Sequence, residues 1–440
     1  MKVITSSAVR TRFAPSPTGS MHIGNLRTAF YAYALAKHNS GDFILRIEDT
    51  DKKREQKGGI EDIQRLLKIF NINWDKFYIQ SERLELYQKA AQKLVKDGYA
   101  FYCQCEAKNA KEEGFSNELR DPCRNKKLAS GAVKLKVPDS EGIGFVDFVL
   151  NKKVSWSTNV VGDATLLKSD GFPTYHLAVV VDDNEMEVSH VLRGHDWMPS
   201  TPIHLLVYKY LGYEVPEIGH LTDILDPDGG KLSKRKGSTS VEGLLSEGYL
   251  PEALFNFVIL LGWAPKNNKE IFSLEEFVKD FDQLGFQKSN PVFNHEKLDW
   301  FNGYYIRQLK IEDLNKKFQS LNSDFSKLEI SKQLEISKLL QERIKKIGDI
   351  NILAEFFWKK PDVDKGLLGE NYERHLESAL KGIEDNIDLM EVIKENDFKT
   401  GDFFMDLRVA ITGAKFTPPI NESIEILGKE ETVARLKSLL

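Results

Sequence analysis

Residues 12–25 read Arg12-Phe-Ala-Pro-Ser-Pro-Thr-Gly-Ser-Met-His-Ile-Gly-Asn25. Two prolines bracket a serine, Gly19 frees the backbone, and His22 and Gly24 arrive just before a helical pattern. Proline fixes φ and glycine permits φ > 0, so the segment reads as a stiff, shaped loop. Behind it Leu26, Ala29, Phe30 and Tyr33 recur at helical spacing. Ahead of it, residues 9–13 suit a strand. Strand, shaped loop and helix N-terminus together form a geometry that binds phosphate, through unpaired N–H groups and the positive end of the helix dipole.

Outward from this loop the α/β pattern continues. Residues 43–47 read as a second strand ending in Glu48-Asp49-Thr50-Asp51, acidic groups at the end where open α/β sheets bind ligands. Two amphipathic helices follow, on Ile60, Ile63, Leu66, Leu67 and Phe70 and on Leu84, Tyr87, Ala91, Leu94 and Val95. From about 100 to 176 short β-like runs at 133–137, 145–150 and 154–156 suggest an inserted domain, which also holds all three cysteines. The sheet pattern is expected to resume with the apolar run 177–181 and again at 188–192. A helix starts at Thr201-Pro202 and stops at Gly212. Beyond residue 242 the helical period dominates.

The chain has 440 residues, a length that suggests two to four domains. Its composition, 41% hydrophobic and 29% charged, is that of a globular protein and excludes a disordered one. The net charge of −5 shows no global basicity, yet a local basic groove suffices for phosphate contacts. Three cysteines do not make a disulfide framework, the N-terminus lacks a secretory pattern, and residues 255–263 are too short an apolar run to span a bilayer. A cytoplasmic enzyme is expected.

A second phosphate-suited stretch, Lys231-Leu-Ser-Lys-Arg235, follows the turn Asp226-Pro-Asp-Gly-Gly230. Its cations suit the charge that develops on a departing pyrophosphate. No G-x-x-x-x-G-K-[ST] segment is present, which excludes a P-loop.

His22-Ile-Gly-Asn25 and Lys231-Leu-Ser-Lys-Arg235 together resemble the paired signatures of class I aminoacyl-tRNA synthetases. The resemblance extends to the glutamyl-tRNA synthetase family through Arg12 to Gly19, Arg46-Ile-Glu-Asp-Thr-Asp51, Gln80-Ser-Glu-Arg83, Pro173-Thr-Tyr175, Val181-Asp-Asp183, Gly248-Tyr-Leu-Pro-Glu-Ala253 and Leu407-Arg-Val-Ala-Ile-Thr-Gly413. It covers nearly the whole chain in the family's order. It implies an α/β, Rossmann-type class I synthetase catalytic domain in two halves, 1–100 and 177–240. An inserted α+β acceptor-binding domain at 101–176 would separate them. A stem-contact domain at 241–315 and a helical anticodon-binding domain at 316–440 would follow. A glutaminyl-tRNA synthetase would end in β-barrels instead. A truncated relative acting on a modified tRNA base would lack the helical half, and a metabolic nucleotidyltransferase would not need 440 residues. A non-catalytic RNA-binding paralogue would not need both ATP motifs.

The same resemblance implies ATP-dependent ligation of L-glutamate to tRNA(Glu) through a glutamyl-adenylate, with Mg²⁺ and by a monomer without a membrane partner. His22, Lys231 and Lys234 would be catalytic. His22, Gly24, Asp196, Lys231, Ser233 and Lys234 would hold ATP. Arg12, Ser16, Glu48, Tyr175 and Arg193 would hold glutamate, Arg12 taking the side-chain carboxylate in its guanidinium fork. His195 stands where relatives often carry an acidic residue. Cys103, Cys105 and Cys123 fall where some relatives bind zinc, but the usual fourth-ligand positions are Asn125 and Leu119. Thiolates suit zinc in sets of four donors, so buried free thiols are expected here rather than a metal.

Overall fold

The computed structural model describes residues 9–105, 119–232 and 239–440. They divide into two compact units: residues 1–244 with 255–294, and residues 245–254 with 295–440.

The first unit is built on parallel strands. Strands β1 (Arg10–Phe13), β2 (Asp42–Ile47) and β3 (Lys76–Ile79) form one parallel sheet, with Arg12 opposite Ile44 and Ile44 opposite Lys76. β4 (Ala100–Cys103) and β5 (Ala132–Leu135) pair antiparallel, and β8 (Thr165–Leu167) adds to β5. β6 (Gly142–Asp147) and β7 (Lys152–Ser157) form an antiparallel pair. β6 then runs parallel to β10 (Glu217–Leu221), which runs parallel to β9 (His190–Gly194). The order β7-β6-β10-β9 follows. The edge of β1 reaches β9 through Ser189, whose N–H donates to Arg10 O at 2.9 Å and whose Oγ accepts from Arg10 N at 2.7 Å.

Five helices of this unit bear on the site: α1 (Ile23–His38), α2 (Gly59–Ile69), α3 (Leu84–Lys96), α4 (Tyr175–Glu185) and α5 (Thr201–Leu211). α1 is buried nearly all round, including Arg27 and Tyr31. Those two polar side chains serve carbonyls of the 255–294 segment. Arg27 Nη1 donates to Leu261 O at 3.0 Å, and Tyr31 Oη donates to Ile259 O and Leu261 O at 3.0 Å. Buried carbonyls need such partners, and these bonds bind residues 255–294 to α1. α5 ends at Gly212, whose φ of 76° is the left-handed stop that glycine accepts at least cost.

The run 177–181, expected as a strand, is the middle of helix α4. Leu177, Ala178, Val179, Val180 and Val181 are all buried there, followed by buried Asp182 and Asp183. A helix enclosed on every side shows no polar face, so its sequence looks like that of a buried strand. Strands β3, β4, β8 and β10 are the further elements that the sequence pattern did not single out.

The second unit is helical, and no strand occurs in its described residues. Its segment 245–254 is stitched in by buried Asn302. Asn302 Oδ1 accepts from Leu250 N at 2.7 Å, while Nδ2 donates to Gly248 O and Lys345 O at 3.2 and 2.6 Å. Phe318, Phe325, Leu340, Leu376, Phe403 and Leu407 are fully buried core residues of this unit. No helix among the described residues is long and apolar enough to cross a membrane.

Candidate functional site

The opening loop is held at both ends and along its length. Pro15 O accepts from Glu48 N at 3.0 Å and Pro17 O from Gln56 N at 2.9 Å, which lays the loop over the end of β2. His22 is the N-cap of α1, its Nδ1 accepting from Gly24 N at 3.1 Å while Asn25 Oδ1 accepts from His22 N at 3.4 Å. Because Nδ1 accepts, a neutral ring carries its proton on Nε2. A Cβ at Gly24 would stand 3.0 Å from His22 Cε1, so any larger residue there would push the ring aside. Ser16 is exposed on the same loop.

The lysine stretch returns to this loop. Leu232 N donates to Ile224 O at 2.9 Å, Ile23 N donates to Thr239 O at 3.1 Å, and Val241 N donates to Met21 O at 2.9 Å. The two motifs, two hundred residues apart in sequence, are thus neighbours through the flanks of the second. Ser233 and Lys234 lie outside the described residues. Lys231 meets Asp196, another member of the expected ATP set, and also Asp223 at 3.2 Å. Burial would lower the Lys231 pKa, but the two carboxylates raise it above the ordinary lysine value. His195 is exposed, beside Asp196 in the turn His195–Ser200.

Beneath the loop lies a buried charge network that joins four of the sequence motifs. Asp183 Oδ1 accepts from Arg46 Nη1 at 2.6 Å and from Arg12 Nε at 3.2 Å. Arg46 Nη2 donates to Glu48 Oε1 at 3.2 Å. Asp182 accepts from Gln80 Nε2, Tyr87 Oη and Arg83 Nε at 2.8–2.9 Å. Burial would raise the Asp183 pKa, yet Arg12 and Arg46 hold it below the usual carboxylate range. Glu48 goes the other way: burial raises it, and Arg46 and Arg12 only partly oppose that. Arg12 also gives Nη1 to Leu192 O at 3.1 Å, which leaves Nη2 without a hydrogen-bond partner among the described residues.

Arg193 is held quite differently. It sits on β9 directly opposite His220 on β10. Its Nε donates to His220 Nε2 at 3.0 Å, and Nη2 donates to Thr201 Oγ1 at 2.8 Å. Nη1 donates to His204 Nδ1 at 3.0 Å and to Tyr175 Oη at 3.2 Å. His220 in turn bonds Asp147 Oδ2 through Nδ1 at 2.7 Å, and His204 bonds His176 at 3.2 Å. Burial, then the Arg193 charge, pushes His176 down to about 4 and His204 well below the ordinary histidine value. Burial likewise brings His220 to about 4, against the pull of Asp147. Tyr175 packs against Trp197 with ring centroids 4.1 Å apart and ring planes tilted by 37°. Burial raises the Tyr175 pKa first of all, while the charges of Arg193, Glu48 and Arg12 all bear on it. Four of the five residues expected to hold glutamate therefore share one electrostatic neighbourhood. Sequence reasoning missed His176, His204, His220, Thr201 and Asp147. The available signal was a histidine and an aspartate inside apolar β runs.

The cysteines also gather. The ligand atoms of Cys103, Cys105, Cys123 and Asp121 all lie within 4.8 Å of one another. Asp121, in the turn before Cys123, thus adds a fourth oxygen or sulfur atom to the cluster that the sequence pattern did not show. Cys105 is exposed rather than buried. Asp121 Oδ1 accepts from Cys123 N at 2.8 Å and Oδ2 from Lys134 Nζ at 2.6 Å. Three thiols and a carboxylate give the four donors that a zinc ion takes, with the carboxylate in place of the usual fourth thiolate or imidazole. Without a metal, burial pushes the Cys103 thiol up to about 12.

A parallel-strand sheet whose strand ends carry this loop, this charge network and the returning lysine stretch defines a nucleotide-dependent class I architecture. The chain belongs to the class I tRNA synthetases: residues 8–300 match the family "tRNA synthetases class I (E and Q), catalytic domain", and residues 310–440 match "Anticodon binding domain". A glutamate--tRNA ligase of Dehalococcoides mccartyi is 38% identical over 98% of this chain and 97% of its own. Two solved structures align over 98% of the chain. One is a glutamate tRNA ligase from Elizabethkingia meningosepticum in complex with its amino acid, with 33% identity, 98% of that chain and a TM-score of 0.81. The other is a glutamate-tRNA synthetase from Elizabethkingia anophelis, with 32% identity, 99% of that chain and a TM-score of 0.83.

Proposed function

We propose that this chain ligates L-glutamate to tRNA(Glu) at the expense of ATP, through a glutamyl-adenylate. The observation that carries this reading is the convergence of Arg12, Glu48, Tyr175 and Arg193 beneath a loop that presents His22 and the α1 N-terminus. Full-length similarity to glutamate--tRNA ligases supports it. In the first step the α-carboxylate of glutamate attacks the α-phosphorus of ATP, which enters with Mg²⁺ as its substrate complex, and pyrophosphate leaves. In the second, the terminal ribose hydroxyl of tRNA attacks the acyl carbon and AMP leaves.

Positioning and charge stabilisation do this work. His22 presents Nε2–H toward phosphoryl oxygen, Gly24 and the first turn of α1 add backbone N–H groups, and Lys231 and Lys234 neutralise the leaving group. Glu48 matches the substrate ammonium, with Ser16 beside it. Arg12 and Arg193 offer N–H groups to a carboxylate, and a neutral amide in the same place would leave them unpaired, which disfavours glutamine. Cys103, Cys105, Cys123 and Asp121 are the residues that would hold a structural zinc ion, whose contribution is to clip the β4–β5 region. Elemental analysis of the purified chain checks that reading directly. Residues 101–176 would act on the acceptor end of the tRNA and the helical unit on the anticodon, in a cytoplasmic monomer.

The deciding experiment is ATP–pyrophosphate exchange with glutamate, with and without tRNA. Exchange that requires tRNA is expected; no exchange with tRNA present would sink the assignment. Lys234→Ala should slow single-turnover adenylation more than it weakens tRNA binding, and equal losses in both would remove Lys234 from the catalytic step.

A further inference from the structure

Arg193 has five N–H groups, and none of its four protein acceptors is a carboxylate. They are His220 Nε2, His204 Nδ1, Tyr175 Oη and Thr201 Oγ1. Both hydrogens of Nη1 and the Nε hydrogen are taken, and Thr201 takes one hydrogen of Nη2. One Nη2 N–H has no partner among the described residues. A guanidinium has no acceptor capacity, so each imidazole nitrogen facing it must be an unprotonated acceptor. The ring protons then follow. His220 donates Nδ1–H to Asp147 Oδ2, and His204 donates Nε2–H to His176 Nδ1. Asp147 is fixed in turn by the N–H groups of Val149, Leu150 and His220 at 2.9–3.3 Å. His220 and Arg193 are register partners across β10 and β9, and Asp147, at the end of β6 opposite Ile218, reaches His220 through its carboxylate, so the line is braced by the sheet.

We propose that His204, His220 and Thr201 are positioning residues that orient Arg193 with uncharged acceptors and so keep its charge for the carboxylate of the amino acid substrate. A carboxylate in any of these places would satisfy the same N–H groups and cancel the attraction. The proposal rests on Arg193 being a glutamate ligand, as inferred above. It separates binding of the amino acid from binding of ATP, because these residues touch Arg193 and not the His22 loop.

The test is steady-state ATP–pyrophosphate exchange by the full chain with tRNA(Glu) present, recording KM for glutamate, KM for ATP and kcat. His204→Phe removes the Nδ1 acceptor and should raise the glutamate KM about tenfold, with ATP KM and kcat within about twofold. His204→Asn restores an oxygen near Nδ1 and should return the glutamate KM to within about threefold of the parent. Thr201→Val, nearly isosteric, should raise it about threefold and serves if His204→Phe does not fold. A glutamate KM that stays put in every folded variant overturns the proposal. So does a Phe variant that changes ATP KM and kcat in parallel with no rescue by Asn, since that is what loss of packing alone produces. Arg193→Met separates the two levels. If it leaves the glutamate KM unchanged, the pocket reading itself fails; if it raises KM while the positioning variants do not, only the present inference falls.

Discussion

Arg12 and Arg193 share one electrostatic neighbourhood around Tyr175 and are held by opposite means. Arg12 shares Asp183 with Arg46, so acids balance its charge inside the protein. Arg193 is equally buried, but neutral imidazoles, a hydroxyl and a phenol surround it. A balanced arginine is an element of architecture, because removing either partner strands the other in low dielectric. An unbalanced one is held ready for an anion that arrives later, at some cost to the folded state. The contrast implies that the Arg12–Asp183–Arg46 cluster chiefly maintains the pocket's shape, whereas Arg193 chiefly supplies its net charge.

The comparison can be broken most decisively at Asp183. Asp183→Ala leaves two buried guanidinium groups without their shared acid and should lower the stability of the catalytic unit by about 3–5 kcal/mol. Chemical denaturation followed by tryptophan fluorescence measures it, and a loss below about 1 kcal/mol would mean that the cluster is not structural. Next in size is Arg193→Met. It should raise the glutamate KM about a hundredfold, the worth of a charged hydrogen bond to a carboxylate, while costing far less stability than Asp183→Ala. Equal stability losses in the two variants would erase the distinction.

The third effect comes from pH. His176, His204 and His220 have folded pKa values below the ordinary value near 6.5. The unfolded chain therefore binds more protons, and stability falls as pH drops from about 6.5 toward about 4. His176 and His220, both brought to about 4, should each contribute about 2 kcal/mol of loss by pH 5, and His204 acts in the same direction. Asp183, whose folded pKa is lowered, holds its contribution until the pH passes below its unfolded value near 3.9. An acid titration of unfolding free energy should thus show the imidazole side failing first, and no slope between pH 7 and 5 would contradict the neutral-acceptor arrangement. The smallest effect belongs to the exposed pair of Lys231 with Asp196, where Asp196→Asn should change stability by less than about 1 kcal/mol because solvent screens it. A larger change would place that pair with the buried clusters.

The loop ahead of α1 was the most legible part of the sequence. Proline and glycine spacing in residues 12–24 announces a shaped loop on local stereochemistry alone, and the helix α1 follows from its apolar period, although not its burial on nearly every side. The returning lysine stretch is legible as chemistry, although nothing in its own residues says that Thr239 O meets Ile23 N. The amino acid half of the site was legible in part. Arg12, Glu48, Tyr175 and Arg193 sit inside motifs, whereas the groups that determine how each arginine is charged lie on other elements. Asp147 and His220 are single polar residues in β runs, and only the β6-β10-β9 pairing aligns them with Arg193. Helix α4 escaped for a related reason, since enclosure on all sides erases the polar face that betrays a helix.

By itself, then, the sequence determined the strand–loop–helix at the start, the helical character beyond residue 242 and the residue types available for charge and thiol chemistry. These depend on backbone stereochemistry and on spacings of a few residues. The tertiary structure alone decided that Asp121 joins the three cysteines, that Asp183 balances Arg12 and Arg46, and that Arg193 meets only neutral acceptors. Those outcomes depend on which distant side chains share a low-dielectric interior, where a few ångströms separate a neutralised charge from one that can still bind.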